Sequence, residues 1–145
     1  MPPGRTMSGP VERGGEERLG LSAEVRLAAA EVARGEFVRA TVSVRAAAGC
    51  GPRKAEWGEP VTGGIRPPGA VDPCGWFFGR IAGVGRWAVL APENPISIVA
   101  IVGTTPIVRG QVLPPGMYQV VVDVFLDLGP EAARLRAVGP EIRLV

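Results

Sequence analysis

The sequence predicts an all-β protein: a single antiparallel β-sandwich domain with a flexible N-terminal arm and one long loop rich in glycine and proline. Three observations favour this class. First, 46% hydrophobic residues occur with 21 glycines and 15 prolines in a chain of 145 residues, a composition that suits short strands separated by turns. Second, Tyr118–Leu126 alternates with the two-residue period of a strand. Third, Val38–Ala46 shows the same alternation, with arginine, threonine and serine between the apolar positions.

The first twenty residues differ in composition from the rest. They contain glycine, proline, arginine and glutamate with almost no large apolar side chains, so they cannot bury enough surface to offset the entropy lost on ordering. We therefore predict a flexible arm over residues 1–20 and one domain over residues 21–145. The arm either orders on a partner or neighbouring subunit, or is a disordered leader or an over-long gene start.

The segment Leu21–Arg34 fits two patterns. Its first apolar residues alternate as in a strand, but they also fit a helical stripe that ends at Gly35. Val38–Ala46 has the pattern of a half-buried strand and needs a neighbour to pair with. We therefore predict a strand for Leu21–Leu27.

Residues 47–76 are predicted to form a long loop. They include seven glycines, five prolines and both cysteines, and a loop of this length in a compact domain is usually either functional or disordered. Trp57, Trp76 and Phe78 lie in or beside it. These aromatic side chains are a candidate interaction surface, or they cover one end of the core.

The rest of the chain shows short apolar runs separated by glycine and proline, which predicts antiparallel strands. These runs are Phe77–Ile81, Arg86–Leu90, Ile96–Val102, Ile107–Leu113 and, at the C-terminus, Glu141–Val145.

The central strand follows Pro115 and Gly116, the residue types that a type II turn requires at its two middle positions. Tyr118 opens the strand on the face predicted to be the core, so its hydroxyl should bond to a backbone group at a structural corner. Val121 and Phe125 lie on the opposite face. Two apolar side chains on an outer face need cover, which predicts self-association or a protein partner.

The proline, glycine and tyrosine before alternating valines and a last strand resemble the tyrosine corner of immunoglobulin-like and fibronectin-type sandwiches. The segment Gly35–Ala46 resembles an early strand of the same domains. The leucine, proline, glycine and tyrosine entry is also similar to that of intracellular proteinase-inhibitor domains of the BsuPI type. The resemblance implies an immunoglobulin-like sandwich, and the last similarity implies an inhibitor-like role.

The residues available for chemistry are few. The chain has no histidine, which removes the commonest general base and the usual activator of a serine or cysteine nucleophile. Cys50 and Cys74 form no CxxC pair, so a zinc site is not predicted. The glycine-rich Gly79–Gly85 lacks the lysine and hydroxyl residue that end a P-loop. We therefore predict no catalytic residues, no metal and no cofactor.

Cys50 and Cys74 are predicted to form a disulfide, since both lie in the long loop. Closing about 25 residues should contribute roughly 3.5 kcal/mol in the chain-entropy model; the alternative is two buried thiols. Lys54 is the single lysine and amide side chains are scarce, from which we hypothesise a heat-adapted source. Intracellular disulfides are common in hyperthermophiles.

Charge and hydropathy limit the partners. A net charge of +2 gives no reason to expect a nucleic acid, no apolar run reaches the roughly 18 residues of a membrane span, and no signal peptide is visible, so the cytoplasm is the default location. The prediction is a non-catalytic module for protein interaction or assembly. The alternative is a small ligand-binding protein or enzyme that uses residues 47–76 as part of a pocket.

Overall fold

The computed structural model describes residues 19–145, so residues 1–18 of the predicted arm lie outside the described residues. Leu19 and Gly20, which the prediction included in the arm, pack against the domain. Leu19 is buried and its carbonyl accepts a hydrogen bond of 2.8 Å from Nη2 of Arg53. The carbonyl of Gly20 accepts one of 2.7 Å from the amide of Ala47.

The predicted all-β class is confirmed. Residues 21–145 contain eleven strands and no helix, and the prediction of a strand for Leu21–Leu27 is also confirmed. The strands are Leu21–Leu27 (β1), Glu31–Val32 (β2), Phe37–Ala46 (β3), Arg53–Glu59 (β4), Val61–Arg66 (β5), Gly75–Trp76 (β6), Val84–Leu90 (β7), Ile96–Gly103 (β8), Thr105–Pro106 (β9), Gly116–Asp127 (β10) and Ala132–Leu144 (β11).

The strands form one sheet in which the main path runs β1-β3-β8-β5-β10-β11-β2. Most neighbours are antiparallel, but β5 pairs with β8 and β11 pairs with β2 in parallel, so the predicted single antiparallel sandwich is not confirmed. A glycine allows β5 to approach β10 closely. A Cβ on Gly63 would lie 2.5 Å from the carbonyl oxygen of Val121, and glycine in a strand often marks such a close backbone approach.

The predicted loop over residues 47–76 is wrong, because it contains β4, β5 and β6. Ala55 and Trp57 are buried between exposed or partly exposed neighbours in β4, which is the alternation of a strand, but the frequent glycines and prolines favoured a loop. Phe77–Ile81 and Ile107–Leu113 form no strand. Their apolar composition resembles that of strands. The amide of Phe77 donates to the carbonyl of Gly63, and the amide of Ile107 donates to the carbonyl of Cys74. These are isolated hydrogen bonds and do not form the ladder of a strand pair.

The entry to β10 differs from the predicted turn. Gly116 has a φ of 146°, whereas the second middle residue of a type II turn has a φ of about +80°, and Gly116 already pairs with Leu144 as the first residue of the strand. The expected bond of the tyrosine is present. The hydroxyl of Tyr118 donates to the carbonyl of Pro114 at 2.6 Å.

The apolar face of β10 enters the core as predicted. The five side chains of that face are buried: Tyr118, Val120, Val122, Val124 and Leu126. Val121 on the opposite face is fully buried too, which corrects its assignment to an interaction surface that a partner would cover. It pairs with Gly64, and a Cβ on Gly64 would meet the ring of Trp76. The Trp76 ring therefore lies over this part of the outer face and supplies the cover from within the chain.

The sheet curls into a half-barrel that is closed on one side only. On the closed side β1 packs across β11, where Gly139 lies against Val25. On the other side, among the described residues, β7 pairs with β4 alone, and Ile96–Val99 of β8 pairs with β3 alone. We call the gap between β7 and Ile96–Val99 the open seam.

Candidate functional site

The residues predicted to form an interaction surface do not lie together. Trp57 is buried in the core, Val121 is buried under the outer face, and Trp76 is half-buried with its indole nitrogen 3.3 Å from Oγ1 of Thr62. Phe78 and Phe125 are each 60% exposed. Phe125 lies on β10, whereas Phe78 belongs to the segment after β6.

Phe125 instead faces a groove that we call the aromatic groove. It lies between the β4–β7 hairpin and the β10–β11 hairpin, has a volume of about 910 Å³, and has the exposed rings of Trp87 and Phe125 among its lining residues. Trp87 is 64% exposed. Trp87 is not predicted as a surface residue from the sequence, because Arg86–Leu90 carries apolar residues on both faces and the alternation does not tell which face is outside.

Two glycines form the floor of the aromatic groove. Gly58 and Gly85 are directly paired between β4 and β7, and a Cβ added to either one would meet no atom within 4 Å. Neither has a positive φ. Their effect is therefore to leave open space beside the two aromatic rings rather than to permit an unusual backbone.

Charged side chains flank both rings. Nζ of Lys54 lies 5.0 Å from the centroid of the Trp87 ring, and Cζ of Arg134 lies 5.5 Å from that of Phe125, both within the range of a cation–π contact. Lys54 also forms an ion pair of 3.4 Å with Glu56. The carboxylates of Asp127 and Glu131 add acidic groups to the lining of the groove, so the groove presents both signs of charge.

The open seam is bridged by one carboxylate. Oε1 of Glu59 accepts from Nε of Arg86 at 3.2 Å, and Oε2 accepts from the amide of Val99 at 3.1 Å and from Nε1 of Trp57 at 3.4 Å. The side chain of Glu59 is only 11% exposed. At Val99 this carboxylate takes the place of a strand partner, so β7 and β8 are linked by a side chain and not by a ladder.

A cleft of about 280 Å³ opens on the surface at this point of the seam. Val84, Val99 and Ile81 give it exposed apolar walls, and Arg39 and Arg86 add positive charge. We call it the seam cleft.

The predicted disulfide is absent, since both cysteines are free. Sγ of Cys50 lies next to Gly20, whereas Sγ of Cys74 donates to the carbonyl of Ile65 at 3.6 Å. The segment between the cysteines folds into strands that hold the two thiols in different neighbourhoods. Burial raises the pKa of the Cys74 thiol, which lowers its reactivity near neutral pH.

A polar cluster occupies the outer face of β10 and β11. Arg136 binds both oxygens of Asp123 at 2.9 and 3.2 Å, and Arg66 donates to Gln119 at 3.0 Å and to the carbonyl of Val71 at 2.9 Å. Burial, followed by the charge of Arg136, lowers the pKa of Arg66. Because these side chains bond to one another and to the backbone, we assign the cluster a structural role and not a binding role.

Two further observations concern metal binding and membrane spans. Residues 19–145 include no group of three or more cysteine, aspartate and glutamate side chains able to hold a metal ion. The same residues include no helix long and apolar enough to cross a membrane.

Comparisons with known proteins add little. No family model matches the chain, and no curated protein matches it in sequence. Among solved structures, the chain is similar to the sporulation control protein Spo0M from Bacillus subtilis, with a TM-score of 0.42 and 14% identity over 86% of this chain and 49% of that chain. The chain thus spans about half the length of that structure. The predicted resemblance to immunoglobulin-like and BsuPI-type domains has no support from a family model or a related sequence.

Proposed function

We propose that this protein is a non-catalytic interaction module that binds an extended segment of a protein partner along the outer edge of β7. One observation carries the proposal: within residues 19–145, β7 is a seven-residue strand that pairs on one edge only. An unpaired edge offers a row of backbone donors and acceptors to an added strand, and this is a recurring mode of peptide recognition.

The side chains of β7 support this use of the edge. Proteins usually protect free edges with charged side chains, proline or a bulge. β7 contains no proline and no bulge, and its one charged residue, Arg86, is paired with Glu59. Val84, Trp87 and Val89 are exposed on it instead. The side chain of Asn94 already donates to the carbonyl of Val89, so the added strand would pair with the part of β7 before that residue.

A tyrosine corner of the immunoglobulin-like kind at the entry to β10 is part of the proposal. It is supported by the bond from the Tyr118 hydroxyl to the Pro114 carbonyl, four residues upstream, which is the contact that a tyrosine corner makes. An inhibitor-like role would be one form of the same edge binding, with a protease as the partner.

A second candidate function is the binding of a small ligand in the aromatic groove. It is favoured by the two exposed rings, Trp87 and Phe125, beside the open glycine floor. Lys54, Glu56, Trp57 and Gly58 of the groove come from the segment that the sequence analysis associated with a pocket. A pocket with aromatic walls and a few polar groups is the usual form of such a site.

The two functions are separated by hydrogen exchange. Peptides selected from a random 12-residue display library on the immobilised domain are added to the protein, and amide exchange is followed residue by residue. Slower exchange of those amides in Val84–Leu90 that point away from β4 supports edge pairing, because these groups would become bonded while the other amides already face β4. Protection confined to the two hairpins of the aromatic groove, with β7 unchanged, would favour the ligand site and overturn edge pairing.

A further inference from the structure

We infer that the partner segment carries a carboxylate on the side that faces the open seam and an apolar side chain on the side that faces the aromatic groove. The inference rests on the proposed edge pairing and adds the chemistry of the partner. It follows from the difference between the two faces that β7 presents to a neighbouring strand.

The two faces of β7 are defined by its pairing with β4. Gly85, Trp87 and Val89 lie opposite Gly58, Glu56 and Lys54 on the groove face. Val84 and Arg86 lie on the other face, toward the seam. Since successive side chains of a strand point to opposite faces, an added strand would alternate between groove contacts and seam contacts.

The seam face has a positive charge that the described chain does not balance. Arg39 and Arg86 both line the seam cleft, and Glu59 is the acidic residue of its lining. Glu59 is paired with Arg86, whereas Arg39 takes part in none of the ion pairs formed within residues 19–145. Two arginines against one glutamate, with Arg39 unpaired, favour an anionic partner.

A basic partner residue is disfavoured at the same place. Both oxygens of Glu59 already accept hydrogen bonds, one from Arg86 and the other from Val99 and Trp57. A lysine or arginine entering the cleft would therefore meet like charges while the carboxylate is occupied. An aspartate or glutamate would instead meet Arg39, which is exposed and available.

The groove face requires a different side chain. An added strand next to β7 would place alternate residues beside Trp87 and the open space over Gly85. Apolar side chains bury surface there by contact with the indole ring, which supplies large contact area at an interface. The expected partner is thus an extended segment in which acidic and apolar residues alternate.

The test uses the same random 12-residue library with three proteins: the wild type, Arg39→Glu and the control Arg45→Glu. Arg45 is an exposed arginine on the same face of β3, six residues from Arg39, so it lies about 20 Å away along the strand. Circular dichroism and thermal unfolding first establish that both variants fold like the wild type. Peptides that protect β7 are then sequenced and their dissociation constants measured.

We expect wild-type peptides to alternate aspartate or glutamate with apolar residues. Arg39→Glu should weaken their binding about tenfold and shift selection toward lysine and arginine, while Arg45→Glu should change binding less than twofold. Peptides that protect β7 without acidic enrichment, or that lose equal affinity in both variants, would overturn the inference and leave edge pairing standing. Failure to select any peptide that protects β7 would overturn the proposed function itself.

Discussion

The two sides of the curled sheet differ in how they are held. On the closed side β1 packs across β11, with Val25 against Gly139 so closely that no Cβ fits between them. On the open seam the carboxylate of Glu59 makes the contacts between β7 and β8, and Val84 and Val99 remain exposed. The closed side is built from packed surfaces that stabilise the fold, whereas at the open seam one edge of β7 has no strand partner within residues 19–145.

The largest expected effect belongs to the core of β11. Leu135 is fully buried, so Leu135→Ala should lower the free energy of unfolding by about 2–5 kcal/mol through lost burial and a residual cavity. Val89→Ala on the exposed edge of β7 is the matched control and should change it by no more than about 0.5 kcal/mol. Urea denaturation measures both values. Similar losses of unfolding free energy in the two variants would contradict the distinction between the packed closed side and the exposed edge at the open seam.

Paired glycine substitutions test the closed side directly. A Cβ on Gly139 would lie 2.8 Å from Cβ of Val25, so Gly139→Ala should cost about 1–3 kcal/mol through overpacking. Gly85→Ala should be neutral or stabilise by up to about 1 kcal/mol, because its Cβ enters open space and restricts the unfolded chain. Thermal unfolding of the two variants provides the comparison, and a neutral Gly139→Ala would show that β1 and β11 do not pack as described.

A smaller loss is expected at the entry to β10. Tyr118→Phe removes the hydroxyl that donates to the Pro114 carbonyl and keeps the ring in the core, so stability should fall by about 1 kcal/mol. Denaturant titration against the wild type measures the change. An unchanged midpoint would mean that this hydrogen bond contributes nothing to holding the strand entry.

Trp87→Ala should affect binding but hardly affect folding. Its ring is mostly exposed, so the free energy of unfolding should change by no more than about 0.5 kcal/mol. The affinity for peptides that protect β7 should fall at least fivefold, because the ring supplies the contact on the groove face. Calorimetric titration of wild type and variant distinguishes the cases, and unchanged affinity would remove the aromatic groove from the binding surface.

No effect is expected from reductant. Cys50 and Cys74 are free thiols, so the unfolding midpoint should be the same with and without dithiothreitol. Alkylation of denatured, unreduced protein should add two labels by mass spectrometry. A protein that takes no label and loses stability on reduction would show that the predicted disulfide forms and stabilises the fold.

The sequence by itself determined the elements whose pattern is local. The alternation in Val38–Ala46 and Tyr118–Leu126 indicates a strand and one buried face, because successive side chains of any strand point to opposite sides. The structure has both strands, and the Tyr118 face lies in the core. The pattern of β4 is local as well, since buried Ala55 and Trp57 alternate with more exposed residues, but the glycines and prolines around it indicate a loop.

Only the tertiary structure decided which faces are covered and which edge stays free. Val121 is buried because Trp76, far away in sequence, lies over the Gly64 that pairs with it. Trp87 is exposed because no element of residues 19–145 packs on its face of β7. Parallel pairing of β5 with β8 and the packing of β1 on β11 also join segments distant in the chain. Such contacts depend on two surfaces at once, so a one-dimensional pattern on either segment leaves them undetermined.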